Sequence, residues 1–153
     1  MTKKSVLFLC TGNSCRSQMA EGLTNHFLGD TWEASSAGTD PAGYVHPKAI
    51  AVMGELGLDL SRNRSKSTDE FRDARPNLVI TVCDDASENC PVWLGQGEVV
   101  HISFPDPAAA VGSVEEVLDI FRAVRDDIRS RVLSQLESYE KLKIGSYKKS
   151  RTL

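Results

Sequence analysis

The apolar run Val6-Leu7-Phe8-Leu9 stops at Cys10-Thr11-Gly12-Asn13-Ser14-Cys15-Arg16-Ser17, and a helical pattern follows at once. A run with no polar interruption fits a strand buried on both faces, which restricts the fold to a parallel sheet covered on both sides. The connecting loop is small and polar, and Gly12 lets its backbone bend tightly. A strand that ends in such a loop and passes into a helix makes a bowl of backbone N–H groups. The first amides of a helix lack partners and the helix dipole is positive there, so an anion settles in that bowl. The same field favours thiolate over thiol, which makes Cys10 a candidate nucleophile. Arg16 can fork two hydrogen bonds onto two oxygens of a tetrahedral oxyanion, which Lys could not do. No Gly-Lys-Ser/Thr follows, so this is not a Walker loop.

Strand patterns alternate with helix patterns along the rest of the chain, as in an open α/β sheet. The expected elements are a strand over Ser5–Leu9, a helix over Ser14–Leu28 with Met19, Leu23, Phe27 and Leu28 at helical spacing, and a strand over Trp32–Ala37. A helix then spans Pro47–Leu56, with Pro in its first turn and Gly57 as its stop. After the polar loop Ser61–Lys66 come a short helix over Thr68–Ala74 and strands over Asn77–Val82 and Val99–Phe104. The last helix is the clearest: Val114, Val117, Leu118, Phe121, Val124, Ile128, Val132 and Leu136 form one stripe, and Ser113 with Glu116 forms a capping box. Sheets of this kind bind ligands beyond the C-terminal ends of their strands, where the strand order reverses. The Cys10 loop, Cys83 and Asp106 all follow strand ends, which gathers three chemical groups on one rim.

A chain of 153 residues is the size of one domain, and 41% apolar with 25% charged residues fits a globular protein rather than a disordered or membrane-spanning one. Lys3-Lys4 leads into only a short strand, so no signal peptide is expected and the protein is placed in the cytoplasm. Cysteines stay reduced there, and four of them read as chemistry or metal rather than as a staple. Residues 141–153 hold five of the 18 basic residues and none of the 21 acidic ones. They read as a loose basic tail behind a domain of residues 1–140, not as a nucleic-acid arm.

Together these residues resemble the low-molecular-weight tyrosine phosphatase superfamily, and within it the thioredoxin-coupled arsenate reductases. The likeness runs from about Lys4 to Glu137 and rests on Val6–Ala20, Ser35-Ser36-Ala37-Gly38-Thr39, Pro47-Lys48-Ala49, Val82-Cys83 through Cys90-Pro91, and Phe104-Pro105-Asp106-Pro107-Ala108. It implies a single three-layer α/β domain, a four-stranded parallel sheet with flavodoxin-like winding. Phosphatases of this superfamily share the loop and the Asp-Pro but need one thiolate, whereas reducing arsenate takes two electrons, which two thiols supply by becoming a disulfide. The resemblance implies that Cys10 attacks arsenic, Cys83 attacks Cys10, and Cys90 then attacks Cys83, carrying the disulfide outward. Seven helical residues rise about 10 Å, whereas a disulfide holds its Cα atoms within about 7 Å. The segment Asp84–Asn89 is therefore expected to buckle from helix to loop on oxidation. Phosphatases usually carry aromatic residues after the Asp-Pro to sandwich a phosphotyrosine ring; here Ala108-Ala109-Ala110 follows.

By the same resemblance Thr11, Gly12, Asn13, Ser14, Cys15, Arg16 and Ser17 bind the oxyanion, Ser17 hydrogen-bonds the Cys10 thiolate, Asn13 braces the loop, and Asp106 is the general acid. Cys15 reads as packing. Six residues between Cys83 and Cys90 do not fit a zinc knuckle, and His26, His46 and His101 are scattered, so no metal is required. Some relatives bind potassium through residues matching Asn13, Glu21 and Ser36 plus a loop carboxylate; the matching position here is Lys66, whose ammonium is expected to replace the cation. The expected partners are arsenate or phosphate-like oxyanions and thioredoxin, drawing ultimately on NADPH, with glutaredoxin and glutathione as alternatives. No bound cofactor, nucleic acid or membrane is expected, and the protein is expected to be a monomer. A phosphatase guarded by its cysteine pair, and a redox or oxyanion sensor, stand as rival functions.

Overall fold

Each strand of the sheet is built as its neighbours require. β1 (Lys4–Cys10) is buried from Val6 to Cys10 because it has a partner on either side. It pairs in parallel with β2 (Trp32–Gly38) and with β3 (Leu78–Thr81), and β3 pairs with β4 (Glu98–His101). The order is β2-β1-β3-β4. The direction of winding reverses between β1 and β3, so the loop after β1 opens at the switch point where such sheets bind ligands. The computed structural model describes residues 2–84 and 88–151, with 143–151 as backbone only. Among the described residues, no helix is long and apolar enough to cross a membrane.

Alternation along the strands divides the core. Val6, Phe8, Leu78 and Ile80 face a cluster fed by α1 (Arg16–Phe27), α2 (Pro47–Gly54) and α3 (Val114–Arg151), whose Met19, Leu23, Val52, Met53, Phe121, Ile128 and Leu136 are buried. Leu7, Leu9, Ala37 and Val79 face the other way, onto Phe71 and Trp93. The sheet is therefore covered on both faces, thickly by three helices and thinly by a 3₁₀ turn and one indole. Arg125, nearly buried on α3, donates to the Val52 carbonyl at 2.8 Å and pairs with Glu55 at 2.8 Å, which ties α3 to the end of α2.

Where boundaries differ from the sequence reading, competing hydrogen bonds explain most of them. α1 starts at Arg16, not Ser14, because Asn13 is left-handed (φ 49°) and the preceding residues form the loop. β4 stops at His101 rather than Phe104, since the Ser103 and Phe104 carbonyls accept from Arg131 and Arg16 instead of extending the ladder. As an edge strand it is largely exposed. The helix expected over Thr68–Ala74 is a single 3₁₀ turn, Thr68–Phe71, capped by the Ser67 hydroxyl. α2 closes with the Leu58 amide on the Met53 carbonyl and the Gly57 amide on the Gly54 carbonyl, and Gly57 takes φ 77°. The capping box forms reciprocally between Ser113 and Glu116. Val114, expected in the stripe, is exposed in the first turn of α3. The helix then runs through residue 140 to Arg151, so the stretch read as a loose tail continues as helix to that point.

One glycine sets how closely β2 approaches the loop. A Cβ on Gly38 would lie 2.4 Å from the Thr11 carbonyl oxygen and 3.0 Å from the Asn13 amide nitrogen, both backbone atoms that cannot step aside. Gly38→Ala is expected to cost about 1–3 kcal/mol of unfolding free energy, measured by urea denaturation, and to loosen the loop.

Candidate active site

The peptide planes of the loop are held from outside. The Thr11 carbonyl accepts from the Asp40 amide at 3.0 Å and the Gly12 carbonyl from the Ala42 amide at 2.9 Å and the Ser65 hydroxyl at 3.0 Å. The Asn13 carbonyl accepts from Gln18 at 3.2 Å, and the Ser14 carbonyl from the His46 amide at 2.9 Å. In a trans peptide the C=O and the next N–H point in opposite directions. Carbonyls drawn outward therefore turn the following amides inward, which makes the loop a concave anion nest. The Asn13 amide shows this directly, lying 3.1 Å from Cys10 Sγ.

A directed chain of hydrogen bonds fixes Cys10. The Lys66 amide donates to Asn13 Oδ1 at 2.8 Å, and Gln18 Nε2 donates to the same oxygen at 3.1 Å. That leaves Asn13 Nδ2 to donate to Ser17 Oγ at 2.7 Å, and the Ser17 hydroxyl to turn its proton toward Cys10 Sγ at 2.8 Å. Asn13, Ser17 and Gln18 are fully buried, so each link lies out of reach of competing water. The structure thus places Asn13 against Ser17 and Ser17 against Cys10.

Around this core the loop, Asp40-Pro41-Ala42, Glu88 and Asp106 line an open cavity of roughly 400 Å³. Arg16 reaches into it with its side chain only 4% exposed. Its guanidinium donates to the Phe104 carbonyl at 3.1 Å and lies 3.9 Å from Asp106 Oδ2. Burial works against its charge, but Glu88, Asp106 and the nearby Cys10 raise its pKa further. Asp106 caps the 3₁₀ turn Pro107–Ala109 through the Ala108 amide at 3.0 Å, which leaves Oδ2 on the cavity side toward Arg16. Cys15 is buried in the core and burial pushes its thiol up to about 12, only partly offset by its hydrogen bond with Ser14. It is a packing residue that stays protonated.

Cys83 follows β3, is fully buried, and forms a disulfide with Cys90 across a Cα–Cα distance of 5.7 Å, whereas Cys10 is a free thiol. Residues 85–87, and with them the expected helix-to-loop buckling, lie outside the described residues. Glu21 accepts from Ser36 and Asn63, each at 3.0 Å, and lies 3.8 Å from Lys66 Nζ. Burial raises its pKa, opposed by Lys66 and Ser36.

Two residues escape the sequence reading. His101, taken as a scattered structural histidine, bonds Thr81 at 2.6 Å and lies beside the Cys83–Cys90 sulfurs, within 4.8 Å. The parallel register that sets Thr81 opposite His101 is the cause. Glu88 has no motif around it, yet its carboxylate meets Arg16 in the cavity. Burial would raise its pKa, but Arg16, the Asp84 amide and the Thr11 hydroxyl outweigh that and hold it down at about 2.

Residues 5–144 match the low molecular weight phosphotyrosine protein phosphatase family. The chain is 45% identical over 138 residues to an arsenate reductase of Halalkalibacterium halodurans, a match covering 90% of this chain and 99% of that one. Among solved structures it is similar to an arsenate reductase in the phosphate binding state, at TM-score 0.69 and 31% identity over 88% of this chain and 98% of that one. It is similar also to an arsenate reductase in oxidized state, at TM-score 0.70 and 32% identity over 84% and 93%.

A carboxyl held below its ordinary value of 4.5 contributes stability that is complete above that value and lost as pH falls toward about 2. In the disulfide form the melting temperature is expected to fall more steeply across this range than in Glu88→Gln, measured by circular dichroism. Asn13→Ala, which strips two donors of their acceptor, is expected to cost about 1–3 kcal/mol in thermal denaturation and to slow alkylation of Cys10 by iodoacetamide.

Proposed function

The chain belongs to the low molecular weight phosphotyrosine protein phosphatase family, and from that premise we propose that it reduces arsenate to arsenite by a three-cysteine relay. The observation that carries this reading is the Cys83–Cys90 disulfide at the end of β3, beside an anion nest that holds a free Cys10. Phosphoryl transfer through one thiolate does not require the pair, whereas a two-electron reduction needs a second thiol. The arsenate reductases it is similar to include one with phosphate bound and one oxidized.

In this reading arsenate sits on the inward amides and the Arg16 fork. The Cys10 thiolate, steadied by the Asn13 amide and the Ser17 hydroxyl, forms a bond to arsenic. Asp106 gives a proton to the departing oxygen, which leaves as water. Cys83 then attacks Cys10 Sγ; the sulfur–arsenic bond breaks with its electron pair going to arsenic, which is released as arsenite. The Cys10–Cys83 disulfide lies in the nest, where a protein reductant has poor access. Cys90 attacks Cys83, frees the Cys10 thiolate and leaves Cys83–Cys90, which a small dithiol protein reduces. Thioredoxin, drawing on NADPH in the cytoplasm, is the reductant proposed, with glutaredoxin and glutathione as the alternative. Exchange of this kind runs through thiolate attack on sulfur, so access decides which disulfide is reduced. Two thiols supply both electrons, and no bound cofactor takes part. Among the described residues no aromatic ring lines the cavity, which suits a small inorganic anion.

The potassium site of some relatives does not fit this donor set. Asn13 Oδ1 already accepts two N–H groups, and Glu21 already faces an ammonium. Lys66 takes the cation's place, so exchanging potassium for sodium is expected to leave both activity and melting temperature unchanged.

Arsenite formation coupled to NADPH oxidation, with thioredoxin or glutaredoxin systems supplied, tests the relay. Cys10→Ser is expected to abolish all turnover, and Cys83→Ser or Cys90→Ser multiple turnover. Arg16→Lys, which loses the fork, is expected to lower kcat/KM about 10–100-fold, the equivalent of roughly 1.5–3 kcal/mol. Phosphate-ester hydrolysis undiminished in Cys83→Ser, with no catalytic arsenite formation by the wild type, would instead mark a phosphatase, and arsenate consumed only stoichiometrically with reductant present would mark a sensor.

A further inference from the structure

The disulfide-bonded form does not leave the anion seat to solvent. Glu88 lies two residues before Cys90, and its side chain, 19% exposed, turns into the cavity. Oε1 meets Arg16 NH1, while Oε2 accepts from Arg16 NH2 at 3.1 Å and from the Thr11 hydroxyl at 2.8 Å. Oε1 also accepts from the Asp84 amide at 2.7 Å, and the Glu88 amide donates back to the Asp84 carbonyl at 2.9 Å. The planar fork of a guanidinium matches two oxygens of a carboxylate as it matches two oxygens of a tetrahedral oxyanion. Glu88 has therefore taken the guanidinium fork that arsenate or phosphate would use.

We infer that Glu88 is a tethered occupant of the oxyanion seat that belongs to the oxidised state, so that the seat's affinity for oxyanions is set by the Cys83–Cys90 pair. The inference rests on the reading of the loop as an oxyanion site. Its physical basis is twofold. The disulfide holds the Cys83 and Cys90 Cα atoms 5.7 Å apart, which ties the chain two residues after Glu88 to the end of β3 and keeps the carboxylate beside Arg16 at high effective concentration. A phosphate or arsenate ion also carries negative charge, and two anions cannot share the one fork of a nearly buried guanidinium. Reduction breaks this tie, removes the constraint that aims Glu88, and gives the seat back to substrate. The oxidised enzyme is thereby kept from taking up a fresh oxyanion before its electrons are restored. Coupling between sites is reciprocal: if the disulfide lowers oxyanion affinity, a bound oxyanion must favour the dithiol.

Inorganic phosphate is a probe that cannot be reduced by the enzyme. Calorimetric titration of the full chain is expected to show binding to the dithiol form and at least tenfold weaker binding to the disulfide form. In Glu88→Gln the disulfide form is expected to recover to within about threefold of the dithiol form. As a second readout, saturating phosphate should raise the reduction potential of Cys83–Cys90 in the wild type by about 30 mV for each tenfold difference in affinity, and leave it unmoved in Glu88→Gln. Equal phosphate binding by both wild-type forms, or a disulfide form of Glu88→Gln as weak as before, overturns the role of Glu88 while leaving the oxyanion site intact. Absence of phosphate binding by the dithiol form overturns the oxyanion site itself, and the role of Glu88 with it.

Discussion

The site depends on a left-handed asparagine. Asn13 turns the chain at φ 49° and spends every polar atom of its side chain on a neighbour, so a backbone conformation that costs most residues is held by buried hydrogen bonds. Through Oδ1 it receives the Lys66 amide and Gln18, and through Nδ2 it commits the Ser17 hydroxyl to Cys10. Cys10 is thus held by a chain of donors that begins in a loop on the far side of β2. Because the links are buried, their geometry is stiff, and the amides that line the nest need no rearrangement when an anion arrives.

The fold serves this arrangement by placing three strand ends side by side. β1 delivers Cys10, β3 delivers Cys83, and the chain leaving β4 delivers Asp106 and the Phe104 carbonyl that anchors Arg16. Gly38 lets β2 press against the loop from the other side, while α3 and α2 fill the thick face of the core and hold α1 in place. Among the described residues, Phe71 and Trp93 pack over the thin face of the sheet, on the side where the chain after Cys90 returns. The nest rests on the heavily packed strands, and the disulfide joins the buried end of β3 to Cys90.

Electrostatics around Arg16 differ from those of an exposed ion pair. A nearly buried guanidinium needs anionic company, and in the disulfide form Glu88 and Asp106 provide it. A substrate oxyanion would meet the same need. That shared requirement is why a carboxylate from the redox loop and an ion from solution compete for one place, and why the occupancy of the seat follows the sulfur chemistry.

The sequence by itself determined the parallel sheet, the loop after β1 with Cys10 and Arg16 in it, the glycine stop of α2 and the capping box of α3, because each follows from local patterns of a few residues. It also showed that Cys83 and Asp106 stand behind strand ends. Only the tertiary structure decided where α1 begins and β4 ends, since those limits are set by a left-handed residue and by arginines reaching from distant helices. Nor could spacing reveal that Glu88 meets Arg16 or that His101 flanks the disulfide. Both contacts join residues far apart in the chain, brought together by strand register and by the closure of a loop, and such pairings leave no periodic trace in the order of amino acids.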